Sequence, residues 1–372
     1  MKTLGLYIHI PFCKAKCGYC DFNSYAGKEA YMESYFHALM KEIEETAKRY
    51  PFPVDTIYFG GGTPTFVDTK YICDALGKTK ELFEQCSNCE ISIECNPGTI
   101  GYEGLKKLHN AGFNRLSIGL QSADNGCLKS LGRIHTFEEF SECFKNARMV
   151  GFENISLDLM YGLPDQTMKE WKETLRCAVE FGTEHISCYS LKVEEGTPFA
   201  KRKLNLPDDD TVADMYEFVV EFLAEQGYER YEISNFAKKG FESRHNLKYW
   251  KCDDFVGVGA GAFSCANGVR FSNVSDLKEY IDLMEKTEYA TENREVLSDF
   301  DKMSEFVFLG LRLRGGISER EFENRFNLNI DEVFGSQIEK YSKMGFLIRE
   351  NESIRFSDKG FFVSNTILSD FV

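Results

Sequence analysis

Basic residues are in short supply in this chain. Its 44 lysines and arginines are outnumbered by 59 aspartates and glutamates, leaving a formal net charge of −15 and a pI near 5.1. Such a surface repels a phosphate backbone, which excludes nucleic acid as a partner held by a broad electrostatic footprint. Long apolar runs are missing too. No stretch approaches the roughly 20 residues that span a bilayer, and Met1–Leu6 is too short for a secretion or transit signal, so the expectation is a cytoplasmic protein. Proline is sparse, eight in 372 residues, against 43% hydrophobic content. The chain can therefore bury a large core, in one big domain and a smaller one. The spacing of a disulfide framework is also lacking: thirteen cysteines are scattered mostly singly through apolar segments of a chain far larger than disulfide-dependent domains. Reduced, mostly buried thiols are expected. Cys86 and Cys89 make a C-x2-C with no second pair nearby, so surface or core thiols are favoured there over a metal site. The acidic stretches Glu42-Ile43-Glu44-Glu45 and Asp208-Asp209-Asp210 read as solvated helix faces or loop caps.

One stretch is dense in ligands. Cys13, Cys17 and Cys20 follow an apolar strand at C-x3-C-x2-C spacing, and a loop that brings three thiolates together is first a metal or cluster site. Three soft ligands suit zinc or iron–sulfur. Closed zinc sites and electron-transfer cubanes take four protein ligands, so three imply one metal corner open to another molecule. Two alternatives stand beside this: a closed Cys3His zinc knot with His9 as fourth ligand, and a buried, metal-free cysteine cluster.

The first half repeats strand and helix. Strand candidates at 4–10, 55–59, 90–94, 115–119, 155–159 and 185–189 are separated by helical periods. Six such β-α units predict parallel strands with crossover helices, an α/β fold. Each strand ends at or near a polar or glycine candidate: Gly61, Glu94, Gln121, Asp158 or Ser190. In a parallel barrel these ends share one rim with the cysteine loop; in a flavodoxin-like open sheet, the structural alternative, ligands gather there as well. Gly60-Gly61-Gly62-Thr63-Pro64-Thr65 has no terminal lysine, so it is a flat edge for close ligand approach, or a tight turn, and not a P-loop. The glycines of Gly257–Gly261 lack dinucleotide-fingerprint spacing and read as close packing beside the cluster.

C-x3-C-x2-C with an aromatic before its last cysteine resembles the signature of the radical S-adenosylmethionine (SAM) enzymes. That resemblance implies a partial (β/α)6 barrel and a [4Fe-4S] cluster on Cys13, Cys17 and Cys20, whose fourth iron binds SAM and yields a 5'-deoxyadenosyl radical. The series Tyr-x-His-Ile-Pro-Phe-Cys, Gly-Gly-Gly-Thr-Pro-Thr, Glu-x-Asn-Pro, Arg-Leu-Ser-x-Gly-x-Gln and Asp-Leu-x-Tyr-Gly-Leu-Pro resembles the oxygen-independent coproporphyrinogen III oxidase family over nearly the whole chain. It implies that Tyr7, Tyr19, Gly61, Gly62, Thr63, Glu94, Gln121, Arg133 and Asp158 contact SAM, with Ser190 and Phe263 carried over on weaker grounds, and that some of these serve a second SAM.

Two departures separate the chain from the oxidase proper. Phe22 stands where the oxidase has a further cysteine, and the oxidase's N-terminal extension has no counterpart. Instead, Arg244-His245-Asn246-Leu247-Lys248-Tyr249-Trp250 is similar to the His-Asn-x-x-Tyr-Trp motif of HemW, the haem chaperone branch. Imidazole ligates haem iron and aromatics flank the macrocycle; the bland reading is a core aromatic pair beside a structural histidine. The branch implies haem bound through His245, haem-requiring client proteins and an electron donor for the cluster. Transient association with membrane-bound haem proteins and a homodimer are compatible with it. The enzymatic alternatives, radical oxidative decarboxylation of coproporphyrinogen or radical chemistry on another substrate, stay open, so chaperone and enzyme readings stand side by side. The expected organisation is a barrel core over 1–200, a linker and haem-motif region over 201–298 packed on it, and a small winged-helix-like α+β domain over 299–372.

Overall fold

The structure, a computed structural model, describes residues 2–372. Six strands lie where the apolar runs predict them: β1 (Leu4–Ile10), β2 (Val54–Gly61), β3 (Gln85–Cys95), β4 (Arg115–Gln121), β5 (Ile155–Tyr161) and β6 (His185–Ser190). Their neighbours in sequence are their parallel neighbours in the sheet. Such strands are covered on both faces, which is why β1 and β4 read as nearly continuous buried runs.

Crossover helices α1 (Met32–Arg49), α2 (Thr69–Leu82), α3 (Tyr102–Ala111), α4 (Asn125–Ser130), α5 (Phe137–Val150) and α6 (Met168–Glu180) connect them. Sequence-local chemistry starts the later ones. Thr136 with Glu139, and Thr167 with Glu170, close capping boxes at α5 and α6. Asp208 caps α7 (Asp209–Glu225) through the Thr211 N–H, the loop-cap role expected of that acidic run.

The sheet extends further than the six-unit reading. Strand β7 (Glu229–Arg230) pairs antiparallel with β8 (Asn235–Ala237), which adds antiparallel to β6. On the other flank β9 (Phe255–Val258) pairs parallel with β1, followed by antiparallel β10 (Phe263–Ala266), β11 (Val269–Asn273) and β12 (Thr291–Val296). The order is β12-β11-β10-β9-β1-β2-β3-β4-β5-β6-β8-β7, a twelve-stranded sheet open at both ends. The segment after residue 200 thus supplies strands to both edges. It also carries α8 (Arg244–Trp250) and α9 (Leu277–Lys286). A second hydrophobic core, centred on Val307, Phe322, Ile338 and Ile354, is built from α10 (Asp299–Gly310), α11 (Glu319–Phe326), α12 (Ile330–Lys343) and the small sheet of β13 (Ile317–Ser318), β14 (Leu347–Glu350) and β15 (Ser353–Phe356). Among the described residues no helix is long and apolar enough to cross a membrane.

The late flank is locked to the first crossover helix by a carboxylate that the sequence places among solvated residues. Glu42 on α1 is buried and accepts from the Gly259 N–H at 2.7 Å, Asn273 Nδ2 at 2.6 Å and Tyr280 Oη at 2.6 Å. It faces inward because it shares a helix face with Tyr35, Leu39 and Ile43, whereas Glu44 points out to Lys78. Removing it strands the buried Gly259 N–H and Tyr280 hydroxyl and leaves Asn273 Nδ2 with Gly259 O alone, and buried donors are costly to leave unpaired. Glu42→Ala is expected to lower stability by about 3 kcal/mol in urea unfolding, while Glu44→Ala changes it by less than about 0.5 kcal/mol.

Candidate functional site

The cysteine loop begins where β1 ends. Phe12 and Cys13 form a two-residue strand paired with Tyr25–Ala26, and the loop between is tied down at its middle: the Gly18 N–H donates to Leu131 O at 3.0 Å and the Phe199 N–H to Gly18 O at 2.9 Å. Gly18 has no room for a side chain, because a Cβ would meet the Phe199 ring at 2.4 Å. Two of the three sulfurs receive donors from distant elements. Thr63 Oγ1 lies 3.5 Å from Cys13 Sγ and Arg133 Nη1 3.7 Å from Cys17 Sγ. Burial pushes the Cys13 and Cys20 thiols upward, and such donors favour the thiolate form that binds metal.

His9 does not complete this set. Its Nδ1 bonds the Tyr7 hydroxyl at 2.9 Å and its Nε2 the Asn23 carbonyl at 2.8 Å, and burial lowers its pKa to about 4. With both ring nitrogens engaged, the closed Cys3His knot is not formed. Among the described residues no three His, Cys, Asp or Glu side chains converge to hold a single metal ion. Three sulfurs bordering one cavity, two of them supplied with donors, fit a larger multi-iron group with an open corner.

The cavity has a volume of about 490 Å³ and is bordered by Cys13, Cys17 and Cys20, by Tyr19, Gly61, Gly62 and Thr63, and by Glu94, Gln121, Arg133, Asp158 and Ser190. The glycine edge is a steric necessity. At Gly61, φ is +117° and a Cβ would lie 2.5 Å from the His9 ring; at Gly62 a Cβ would lie 2.8 Å from Phe12 O. Glu94 accepts from Tyr58 Oη and from the Gly61 N–H, both at 3.0 Å. Burial first, then neighbouring Asp158, raises its pKa to about 7. Asp158, which accepts from Ser117 Oγ at 3.0 Å, is also raised by burial. Arg133 reaches Asn96 Oδ1 at 2.5 Å and Gly119 O at 2.9 Å. Gln121 holds a left-handed φ of +68°, uncommon for a side chain of its length and typical of positions over-determined by a site.

Three expected site residues do not border this cavity. Tyr7 lies behind Tyr58, ring centroids 6.2 Å apart, with its hydroxyl given to His9. Phe263, on β10, is 64% exposed beyond the parallel strands. His245 is buried in α8, with Nδ1 2.9 Å from Thr56 Oγ1 and Nε2 2.8 Å from Tyr249 Oη; burial drives its pKa to about 3. In this structure both ring nitrogens are engaged, so the imidazole faces the core and not the cavity. Its neighbour Asn246 does border the cavity, because adjacent helical residues point about 100° apart. The structure also brings in Tyr58, Asn96, Arg115, Ser117, His185, Ser187 and Tyr189, which sequence reading passed over. The signal was period two: Arg115, Ser117, Gly119 and Gln121 alternate with Leu116, Ile118 and Leu120 along β4.

Because Glu94 titrates near 7 in the folded chain against an ordinary 4.5, its contribution to stability is full below about pH 4.5 and is lost as pH rises through about 7, to at most roughly 3 kcal/mol. The thermal midpoint of the metal-free protein is expected to fall over that interval, and Glu94→Gln to flatten the fall. An identical pH profile in the variant would remove Glu94 as its origin.

The family model of the Radical SAM superfamily matches residues 7–178, and that of the HemN C-terminal domain matches residues 297–363. The chain is 36% identical to the heme chaperone HemW of Bacillus subtilis, over 98% of each chain. It is 34% identical to the heme chaperone HemW of Escherichia coli over 100% of this chain and 99% of that one. Among solved structures it is similar to coproporphyrinogen III oxidase (HemN) from Escherichia coli, described as a radical SAM enzyme, with TM-score 0.89 and 26% identity over 100% of this chain and 90% of the other. With relatives matched from end to end and the thiolate loop, glycine edge, Glu94 and Asp158 bordering one cavity, the chain belongs to the HemW/HemN-like family of the radical SAM superfamily.

Proposed function

We propose that this protein is a haem chaperone that binds haem and passes it to haem-requiring proteins in the cytoplasm, on a scaffold that retains a [4Fe-4S] and SAM site. The observation that carries the reading is the end-to-end match to relatives named heme chaperone HemW. Cys13, Cys17 and Cys20 would hold the cluster. Gly61, Gly62 and Thr63 would receive the methionine amino group, and Tyr19, Glu94, Gln121, Arg133, Asp158 and Ser190 the rest of SAM. When bound, this pair supplies one-electron cleavage of the sulfonium. The chain's own part is to hold both partners and limit solvent. Lys14, Ala15 and Lys16 are exposed, leaving the outer side of the loop free for an electron donor.

Haem ligation by His245 requires the ring to leave Thr56 and Tyr249. The hydrogen bonds that seat it are each worth about 1 kcal/mol. Thr56→Val, which removes one of them, is therefore expected to tighten haem binding roughly fivefold, and His245→Ala to abolish a histidine-ligated haem spectrum. Unchanged affinity in Thr56→Val together with an unchanged spectrum in His245→Ala would show that haem is held elsewhere.

A second reading is favoured by one observation, the TM-score of 0.89 to coproporphyrinogen III oxidase: a radical decarboxylase of coproporphyrinogen. Phe22, at the position of the oxidase's additional cysteine, weighs against it. Anaerobic reconstitution, haem titration and a coproporphyrinogen turnover assay on one preparation separate the two. Haem binding without decarboxylated product is expected; turnover dependent on Cys13, Cys17 and Cys20 would replace the chaperone with the oxidase.

A further inference from the structure

Arg115 opens β4 at the floor of the cavity and is 2% exposed. Its Nε has no hydrogen-bond partner, and its terminal nitrogens make neither ion pair nor hydrogen bond among the described residues. An unpaired guanidinium in such a place is costly, since a buried charge persists only when paired or hydrogen-bonded. No carboxylate bonds it directly: the guanidinium's charge favours the ionised form of Asp158, but that carboxylate accepts from Ser117 and not from Arg115. His185 beside it is a neutral group with both nitrogens used, by Ser156 at 2.7 Å and Tyr231 at 2.8 Å. A second orphan lies alongside: Ser92, the cross-strand partner of Arg115 on β3, is fully buried with an unpartnered hydroxyl.

The geometry points to an anion subsite at the floor of the barrel, in which Arg115 takes the carboxylate of a small molecule lying between the floor and the cluster loop. The planar fork of a guanidinium matches a carboxylate in two parallel bonds. Ser117 and Ser187, on the inward faces of β4 and β6, give their hydroxyl protons to Asp158 and so offer lone pairs to donors on the body of a polar ligand above it. The subsite is separate from the strand-end residues assigned to SAM and does not depend on the haem reading.

The test uses the anaerobically reconstituted protein, titrated with acetate, inorganic phosphate or chloride at constant ionic strength and followed by thermal midpoint. Acetate is expected to raise the midpoint of the wild-type protein saturably, with phosphate and chloride ineffective, and Arg115→Met to weaken the half-saturating acetate concentration at least tenfold. An equal response in Arg115→Met, or a chloride response matching acetate, overturns the subsite. Should Arg115→Met fail to fold, a crystal structure of the wild-type protein grown in acetate decides: carboxylate density paired with the guanidinium supports the subsite, and its absence overturns it. SAM affinity is measured beside these. Competition between SAM and acetate, with a tenfold loss of SAM affinity in Arg115→Met, would identify the carboxylate as that of SAM and overturn a separate subsite.

Discussion

Parallel pairing of β1 with β2, in the register that sets Ile10 against Gly61, is the constraint on which the site depends. It fixes the thiolate loop, which leaves β1, over the glycine edge, which ends β2. The His9 ring fills the space that a side chain at Gly61 would need, and the Gly62 and Thr63 amides donate to Ile10 and Phe12 carbonyls at 2.8 Å. Loop and edge are therefore one unit, and the remaining strands bring Glu94 and Gln121 to the same rim because parallel strands share a direction, with Asp158 lower in the same cavity.

The interior of this sheet is unusually polar for a parallel core. Tyr58, Glu94, Arg115, Ser117, Asp158, His185 and Ser187 all point inward. Most of these groups are held in pairs: Tyr58 to Glu94, Ser117 to Asp158, Ser156 to His185. Satisfied pairs can be buried at tolerable cost, and their burial keeps Glu94 near neutrality in its titration. A cavity built this way presents donors and acceptors already fixed in place.

The His-Asn-x-x-Tyr-Trp segment joins three parts of the molecule. Its histidine is seated against β2, and the Arg244 and His245 amides donate to Glu90 of β3. Trp250 at its far end lies 5.9 Å from the Arg312 guanidinium of the C-terminal unit. The motif thus connects the parallel sheet to the C-terminal unit.

Sequence alone determined the six parallel strands, the thiolate loop and the glycine edge, because each rests on local chemistry: apolar runs, ligand spacing, residues without a Cβ. The strand-end residues Gly61, Glu94 and Gln121 were legible for the same reason, since a strand's terminus is a local feature and parallel strands end on one side; Asp158 stands mid-strand, because β5 runs on to Tyr161. Tertiary structure alone decided the rest. Glu42 and His245 lie in segments that look solvent-facing or ligand-like, and only packing against elements more than 150 residues away in sequence closes them in. Arg115 and Ser117 alternate visibly with leucine and isoleucine, yet which face of a strand meets a cavity is settled by how the sheet curves. Strands β9 to β12 were not foreseen because they are short and join β1 from the far end of the chain, and sheet pairing over that distance is set by which edge is left unpaired.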